Sequence, residues 1–300
     1  METDKLRVLL VGSGFIGTAL ANRLLQSGYF VRIISRHVPD IVSDSLEKIE
    51  MELSEAIRHP ELWKNVETVI YTLHRDRPNE SQYDSEKDTD FDLMQNVLTL
   101  LNGSGCSQLI YLSSGGAVYG EPQTEVVEEL HPRKPVSSYG ESKKRLEDLL
   151  ITNSEHASFN TVVLRPSNVY GNQPDGHITG IVNHLITAAK HQQRFTIWGD
   201  GQGQKGYLHI DDLNELILRV ISQFQATTGA FNVCSEEYYT PRQLVQLVRD
   251  FGYELNCHFA EKKAFDVCQI RLSGKKARET FGWKPKHLLK EYMEFRLKNR

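Results

Sequence analysis

The chain has 300 residues, 39% of them hydrophobic and 25% charged, with a net charge of −4. That length can bury a large core as one large or two fused domains, and no apolar run approaches the roughly 18 residues of a membrane-spanning helix. The slight negative charge gives no reason to expect nucleic acid as a partner, the charged start Met1 to Lys5 shows no signal peptide, and Cys106, Cys234, Cys257 and Cys268 form no C-x-x-C pair, which fits a cytoplasmic protein with reduced thiols.

Leu6 to Val11 is an apolar run that ends in a glycine cluster, the pattern of a buried strand. Ile16, Ala19, Leu20 and Leu24 then fall on one helical face, and Gly28 stops the helix. Strands are predicted at Tyr29 to Ile34 and Val66 to Leu73. The segment His74 to Asp90 is strongly charged and lacks periodicity, so a mobile loop is expected there. A helix near Asp90 to Leu101, a strand from Gln108 to Leu112, a helix from Ser138 to Thr152 and a strand from Thr161 to Leu164 continue the alternation.

Beyond Arg165 the rhythm changes. Gly171 to Gly180 is a polar loop, followed by a helix at Ile181 to Lys190, a short strand at Phe195 to Trp198 and a glycine-rich turn. Asp211 to Gln223 and Thr240 to Phe251 are amphipathic, and Thr240 with Pro241 is an N-cap and first-turn signature. Strands alternating with helices predict an α/β fold, a Rossmann-type doubly wound parallel sheet with a smaller carboxyl-terminal substrate-binding lobe. The expected division is a dinucleotide-binding domain over residues 1–170, with 207–234 returning to it, and a substrate lobe from 171–206 and 235–300.

Gly12-Ser13-Gly14-Phe15-Ile16-Gly17 closes the first strand and opens the first helix, the context in which G-x-G-x-x-G binds a dinucleotide. Gly12 permits the tight turn, Gly14 admits the pyrophosphate to the backbone, Gly17 lets helix and strand pack, and the helix N-terminus faces the anion. An acid that would select NAD is expected about 20 residues on. The chain has Ser35-Arg36-His37 there, and a hydroxyl with a guanidinium can hold a 2′-phosphate. The cofactor is therefore NADP or NAD, with a lean to NADP. A solvated arginine at a strand end gives the same pattern.

Tyr139 and Lys143 stand four residues apart on one helix face. A tyrosine titrates near 10, and a neighbouring lysine cation, together with the positive charge of a bound nicotinamide, would favour its phenolate and let it exchange a proton with a substrate alcohol. Tyr83 and Lys87 share the spacing but sit in the charged segment without helical periodicity. Tyr111 to Gly120 follows a strand end that opens on the ligand crevice, where a serine hydroxyl could reach the reacting oxygen. The eleven histidines form no metal-ligand spacing, so no metal is expected.

These residues resemble an extended short-chain dehydrogenase/reductase of the nucleotide-sugar epimerase/dehydratase group. The likeness runs through the glycine turn, Ser113 to Gly120, Tyr139 with Lys143, Leu164 to Gly171, Trp198-Gly199-Asp200-Gly201, Tyr207 to Asp212, and Phe281-Gly282-Trp283-Lys284-Pro285. The resemblance implies hydride transfer between a nicotinamide and a ring carbon of a nucleotide-diphosphate sugar, most often carbon 4. Tyr139 would be the acid/base, Lys143 would hold the ribose and tune Tyr139, and Asn168 would lie near the substrate phosphates. Phe15 and Ile16 belong to the cofactor turn, and Glu52 falls where the family often has an acid near the adenine. The family's hydroxyl residue before Val-Tyr-Gly is replaced by Gly115, which leaves Ser114 as the substitute. Gly115-Gly116-Ala117 lacks the acid and base of the dehydratase branch. Lys205 and Lys263 stand where the family has diphosphate-binding arginines, keeping a cation without the bidentate fork, and Arg271 is a further candidate. A 4-epimerase is favoured, with an NADPH-dependent 4-keto-sugar reductase close behind and a non-catalytic dinucleotide-binding protein third. The resemblance also implies a homodimer.

Overall fold

The computed structural model describes residues 6–74, 89–173, 178–223, 227–262, 267 and 269–299. Its first half runs β1 (Arg7–Val11), α1 (Phe15–Gln26), β2 (Phe30–Ser35), β3 (Leu46–Glu50), α2 (Leu53–Ala56), β4 (Thr68–Tyr71), α3 (Thr89–Leu101), β5 (Gln108–Leu112), α4 (Gly115–Val118), α5 (Ser138–Ser154) and β6 (Asn160–Pro166). There follow β7 (Asn168–Tyr170), α6 (Gly180–Lys190), β8 (Phe195–Trp198), β9 (Lys205–His209), α7 (Ile210–Ser222), β10 (Gly229–Val233), β11 (Tyr238–Tyr239), α8 (Pro241–Asp250), β12 (Cys257–Ala260), α9 (Lys275–Phe281) and α10 (Leu289–Lys298).

Seven strands form one sheet in the order β10-β6-β5-β4-β1-β2-β3, and every pair in it is parallel. Its central strands are buried end to end, as a sheet covered on both faces requires. One face packs Leu20, Leu24, Leu213, Leu216, Ile217 and Phe281 from α1, α7 and α9 against it. The opposite face packs Met94, Val97, Leu146 and Leu150 from α3 and α5. Each such fully buried apolar side chain stabilises the fold by roughly 1.5–3 kcal/mol relative to exposure. The strand order reverses between β1 and β4, so the ligand crevice opens above the C-terminal ends of these two strands.

A third core gathers Leu185 and Ile186 of α6, Leu244 and Val248 of α8, and Leu289, Met293 and Leu297 of α10. It lies under two small sheets, β11-β9-β7 and β12-β8. Helix α8 carries a reciprocal capping box between Thr240 and Gln243, with Pro241 in its first turn. The C-terminal stretch is tied back to α7: the Asp212 carboxylate accepts from the Lys286 and His287 amides at 3.0 Å each, and its carbonyl accepts from the Trp283 indole at 2.9 Å.

Two local expectations change. The segment His74 to Asp90 reads as a loop in sequence, yet its described ends are packed, with Asp90 in the first turn of α3 and 2% exposed. Residues 75–88 lie outside the described residues, and with them Tyr83 and Lys87. The strand β3 and the helices α9 and α10 were not anticipated, since β3 is half charged and the two helices sit in a lysine-rich tail.

Candidate active site

The glycine turn crosses the end of β1. Gly12 takes φ +98°, and a Cβ there would lie 2.9 Å from Thr72 Oγ1, so neither the conformation nor the space admits a side chain. A Cβ on Gly17 would lie 2.2 Å from the Gly12 carbonyl oxygen, which fixes how closely α1 approaches β1. Gly14 caps α1 without a side-chain hydrogen bond and has nothing within 4 Å of its Cβ position. No side chain caps the first turn of α1, which Phe15 and Ile16 begin. An anion fits this end. Thr72 Oγ1, just past β4, donates to the Val11 or Gly12 carbonyl at 3.0 and 3.2 Å and pins the turn to the neighbouring strand.

Ser35 closes β2, and its hydroxyl accepts from Ser13 at 2.8 Å, linking the second strand to the turn. Arg36 is exposed and pairs with Glu52 at 3.7 Å. The two residues proposed from sequence for the adenosine end therefore meet each other. The carboxylate beside Arg36 opposes its attraction for a 2′-phosphate.

Helix α5 brings the tyrosine and lysine to the crevice. Ser137 caps it, accepting from Gly140 N at 3.1 Å, and a Cβ on Gly140 would lie 2.6 Å from the Ala117 carbonyl oxygen, so α5 rides directly on α4. Lys143 is 2% exposed; its Nζ donates to the Leu112 carbonyl at 2.7 Å and lies 4.7 Å from the Tyr111 ring centre and 5.8 Å from that of Tyr139. Burial brings the lysine down to about 8, against the opposing pull of the Asp90 and Glu147 carboxylates. Burial pushes the Tyr139 phenol up to about 12, against a hydrogen bond with the Ser114 hydroxyl. Desolvation by the surrounding protein is the larger of these two influences on the phenol.

Ser114 is joined to Tyr139, as its choice in place of Gly115 anticipates. The reason for the glycine is steric. A Cβ at Gly115 would sit 2.4 Å from Leu272 Cδ1 and 2.9 Å from the Arg165 carbonyl oxygen. Substituting Gly115→Ser is therefore expected to displace Leu272 and the end of β6 and to lower turnover rather than add a useful hydroxyl. Steady-state kinetics with a thermal melt check this, and a gain in activity at unchanged stability would contradict it.

Sequence reasoning missed three residues around this pair. Glu147 is fully buried, and its carboxylate accepts from Ser113, from Arg133 at 2.9 Å and from Arg165 at 2.6–3.1 Å. It follows Lys143 by four residues on the same helix face, a signal that was present in the sequence. The other two, His74 and Asp90, flank the segment read as a loop. His74 Nδ1 lies 3.2 Å from Asp90 Oδ2, and the imidazole meets the Tyr139 ring edge-on, with centres 4.7 Å apart at 82°. Burial and the Lys143 cation hold His74 down to about 2, so it is neutral.

A cavity of about 540 Å³ is lined by Asn168, Ile181, Phe195, Trp198, Lys205 and Tyr207 among others, and not by Tyr139. Asn168 Nδ2 donates to the Gly206 carbonyl at 3.1 Å, which places Asn168 beside Lys205. Arg271 is held by Gln204 at 3.0 Å and Glu125 at 3.0 Å, and is thus engaged elsewhere. Lys263 lies outside the described residues. His209 and its near neighbour Asp211 meet the distant His287, bringing potential metal-ligating atoms within 4.8 Å of one another. The Asp212 carboxylate holds His287 at 2.9 Å, and the two imidazoles stack with centres 4.3 Å apart.

A parallel sheet reversing over a glycine turn, with a serine-bonded tyrosine and a lysine one helical turn apart at its edge, defines a dinucleotide-dependent enzyme of the extended short-chain dehydrogenase/reductase type. The model of the NAD dependent epimerase/dehydratase family matches residues 8–234, and the chain belongs to that family. It is 27% identical over 300 aligned positions to a UDP-glucose 4-epimerase of Corynebacterium glutamicum, covering 92% of this chain and 89% of that one. It is 26% identical to a dTDP-4-dehydro-6-deoxyglucose reductase of Escherichia coli, covering 100% and 99%. A UDP-glucose 4-epimerase from Thermotoga maritima, solved with UDP-glucose, has the same fold at a TM-score of 0.86 with 23% identity, covering 98% of each chain.

Proposed function

We propose that this chain is a NAD-dependent 4-epimerase acting on a nucleotide-diphosphate sugar. The observation that carries the reading is the Tyr139 hydroxyl bonded to Ser114, with Lys143 beside it at the crevice above the glycine turn. The bound nicotinamide would supply the acceptor and donor of hydride. Tyr139 exchanges the proton of the sugar hydroxyl, Ser114 orients that exchange, and Lys143 contributes a cation that favours the ionised phenol. Asn168 and Lys205 offer an amide and a cation to the diphosphate in the cavity beyond. Curated relatives named as UDP-glucose 4-epimerases support this choice, and the similar reductase keeps net reduction as the second reading. Incubation with sugar nucleotides separates them: epimer exchange without net oxidation or reduction of the cofactor is expected, and stoichiometric NADPH consumption would overturn the proposal.

The same reading assigns NAD over NADP, because Glu52 stands against Arg36. NAD is expected to bind about tenfold more tightly than NADP, a difference of one like-charge contact at an exposed site, and Glu52→Gln is expected to narrow the gap. Competitive titration decides it, and tighter NADP binding by the unaltered chain would reverse the assignment. A homodimer through the packed pair α3 and α5 belongs to the proposal, with Ile151 of α5 exposed to 40%. Sedimentation would register it.

A further inference from the structure

His74 stands where the dinucleotide would have to pass. It lies at the C-terminal end of β4, two residues beyond Thr72, whose hydroxyl is bonded to the glycine turn. On its other side the imidazole touches the Tyr139 ring at 4.7 Å. In a bound dinucleotide the pyrophosphate rests on the glycine turn and the reacting ring lies at Tyr139, so the group that spans the two is the nicotinamide-side ribose.

The side chain of His74 is only 8% exposed, and neither ring nitrogen completes a well-directed hydrogen bond with a described residue. Nδ1 nevertheless lies within reach of Asp90 Oδ2 at 3.2 Å. The charged and titratable groups around the ring among the described residues are Asp90 of α3 and Tyr139 and Lys143 of α5. A carboxylate accepts and cannot donate, so it selects the tautomer with the proton on Nδ1 and leaves a lone pair on Nε2. A buried acceptor with nothing to accept from is costly, and such groups mark positions that a ligand completes.

We infer that His74 is a dinucleotide-binding residue: a neutral imidazole whose Nδ1–H is directed to Asp90 and whose Nε2 accepts a hydrogen bond from a hydroxyl of the nicotinamide-side ribose. The inference rests on the dinucleotide-binding reading above. Asp90 is a positioning residue in this arrangement, acting on the ligand only through the tautomer it enforces. The contact would hold the ribose against Tyr139 from the β4 side, opposite the α5 side from which Lys143 approaches.

The test compares His74→Phe with His74→Asn. Phenylalanine keeps a ring against Tyr139 and removes both nitrogens. Asparagine offers an N–H to Asp90 and a carbonyl oxygen to the ribose. His74→Phe is expected to raise the Kd for NAD about tenfold, the worth of one hydrogen bond to a buried acceptor, and His74→Asn to stay within about threefold of the unaltered chain. In ¹⁵N-histidine spectra of the unaltered protein, His74 should hold the neutral Nδ1–H form from about pH 6 to 9, and only its Nε2 resonance should move when NAD is added. Wild-type affinity in the Phe variant, equal losses in both variants, or an Nε2 signal indifferent to NAD would overturn the inference while leaving the functional reading intact. The NMR arm decides the matter if the Phe variant fails to fold. An unaltered chain that binds no dinucleotide would sink the functional reading itself.

Discussion

Tyr139→Phe is expected to lower turnover by about 10²–10⁴-fold while leaving NAD affinity within about threefold, because a positioned acid/base contributes a factor of that size. The phenol is partly buried, bonded to Ser114 and pushed up to about 12, so near neutrality it carries its proton. It can act as the acid toward a ketone directly. To act as the base it must be helped by positive charge, and Lys143, still largely protonated near neutrality, is the protein's source of that charge. The sign for pH follows: the lysine is cationic below about 8 and loses its charge as pH rises through that value, so oxidation of the sugar should weaken on the alkaline side. Single-turnover measurement of hydride transfer across pH, with the variant as baseline, checks both statements. Full activity in Tyr139→Phe would remove this residue from the chemistry, and a rate that climbs unchanged past pH 9 would remove the role given to the lysine.

Glu147→Leu is expected to cost about 3–5 kcal/mol of stability, since it leaves the Arg165 guanidinium buried without its carboxylate. Arg165 is 2% exposed and Glu147 is fully buried. Arg165 also donates to the Tyr119 hydroxyl at 2.6 Å, which in turn donates to Asn232 at 2.7 Å, so the network joins α5, β6, the residue that caps α4, and β10. Glu147→Leu combined with Arg165→Met should recover at least half of the loss, because a buried pair removed together leaves less charge stranded than either removed alone. Chemical denaturation of the four chains gives the coupling directly. Additive losses would mean that the pair does not act as a unit. The cost to turnover should exceed what stability explains, since Tyr139, Lys143 and Glu147 share one stripe of α5 and the anchor sets the register of the other two.

Much of this was legible in the chain. The glycine turn, the tyrosine–lysine pair and the substitute Ser114 could be read because each depends on local spacing and on a strand-to-helix context that periodicity reveals. The reason for Gly115 could not be read, since the atoms that exclude a side chain belong to Leu272 and Arg165, far along the chain. Arg36 looked like a phosphate binder until folding set Glu52 beside it. His74 and Asp90 were hidden by their surroundings: a charged stretch without period reads as solvent-facing, and only the packing of β4 against α3 turns its two ends inward. The upward push of burial on the phenol was hidden for a related reason, because charge proximity shows in a sequence and desolvation does not.

The clasp formed by Asp212 on Trp283, Lys286 and His287 has a consequence for biosynthesis. Helix α10 supplies Leu289, Met293 and Leu297 to the core beneath the small sheets, and those residues are synthesised after every strand of that core. The amino-terminal strands can pair while translation continues, but the core under the small sheets must wait until α10 has been made. A nascent chain stalled before α10 would carry the parallel sheet beside an open apolar surface, a form that chaperones and proteases recognise.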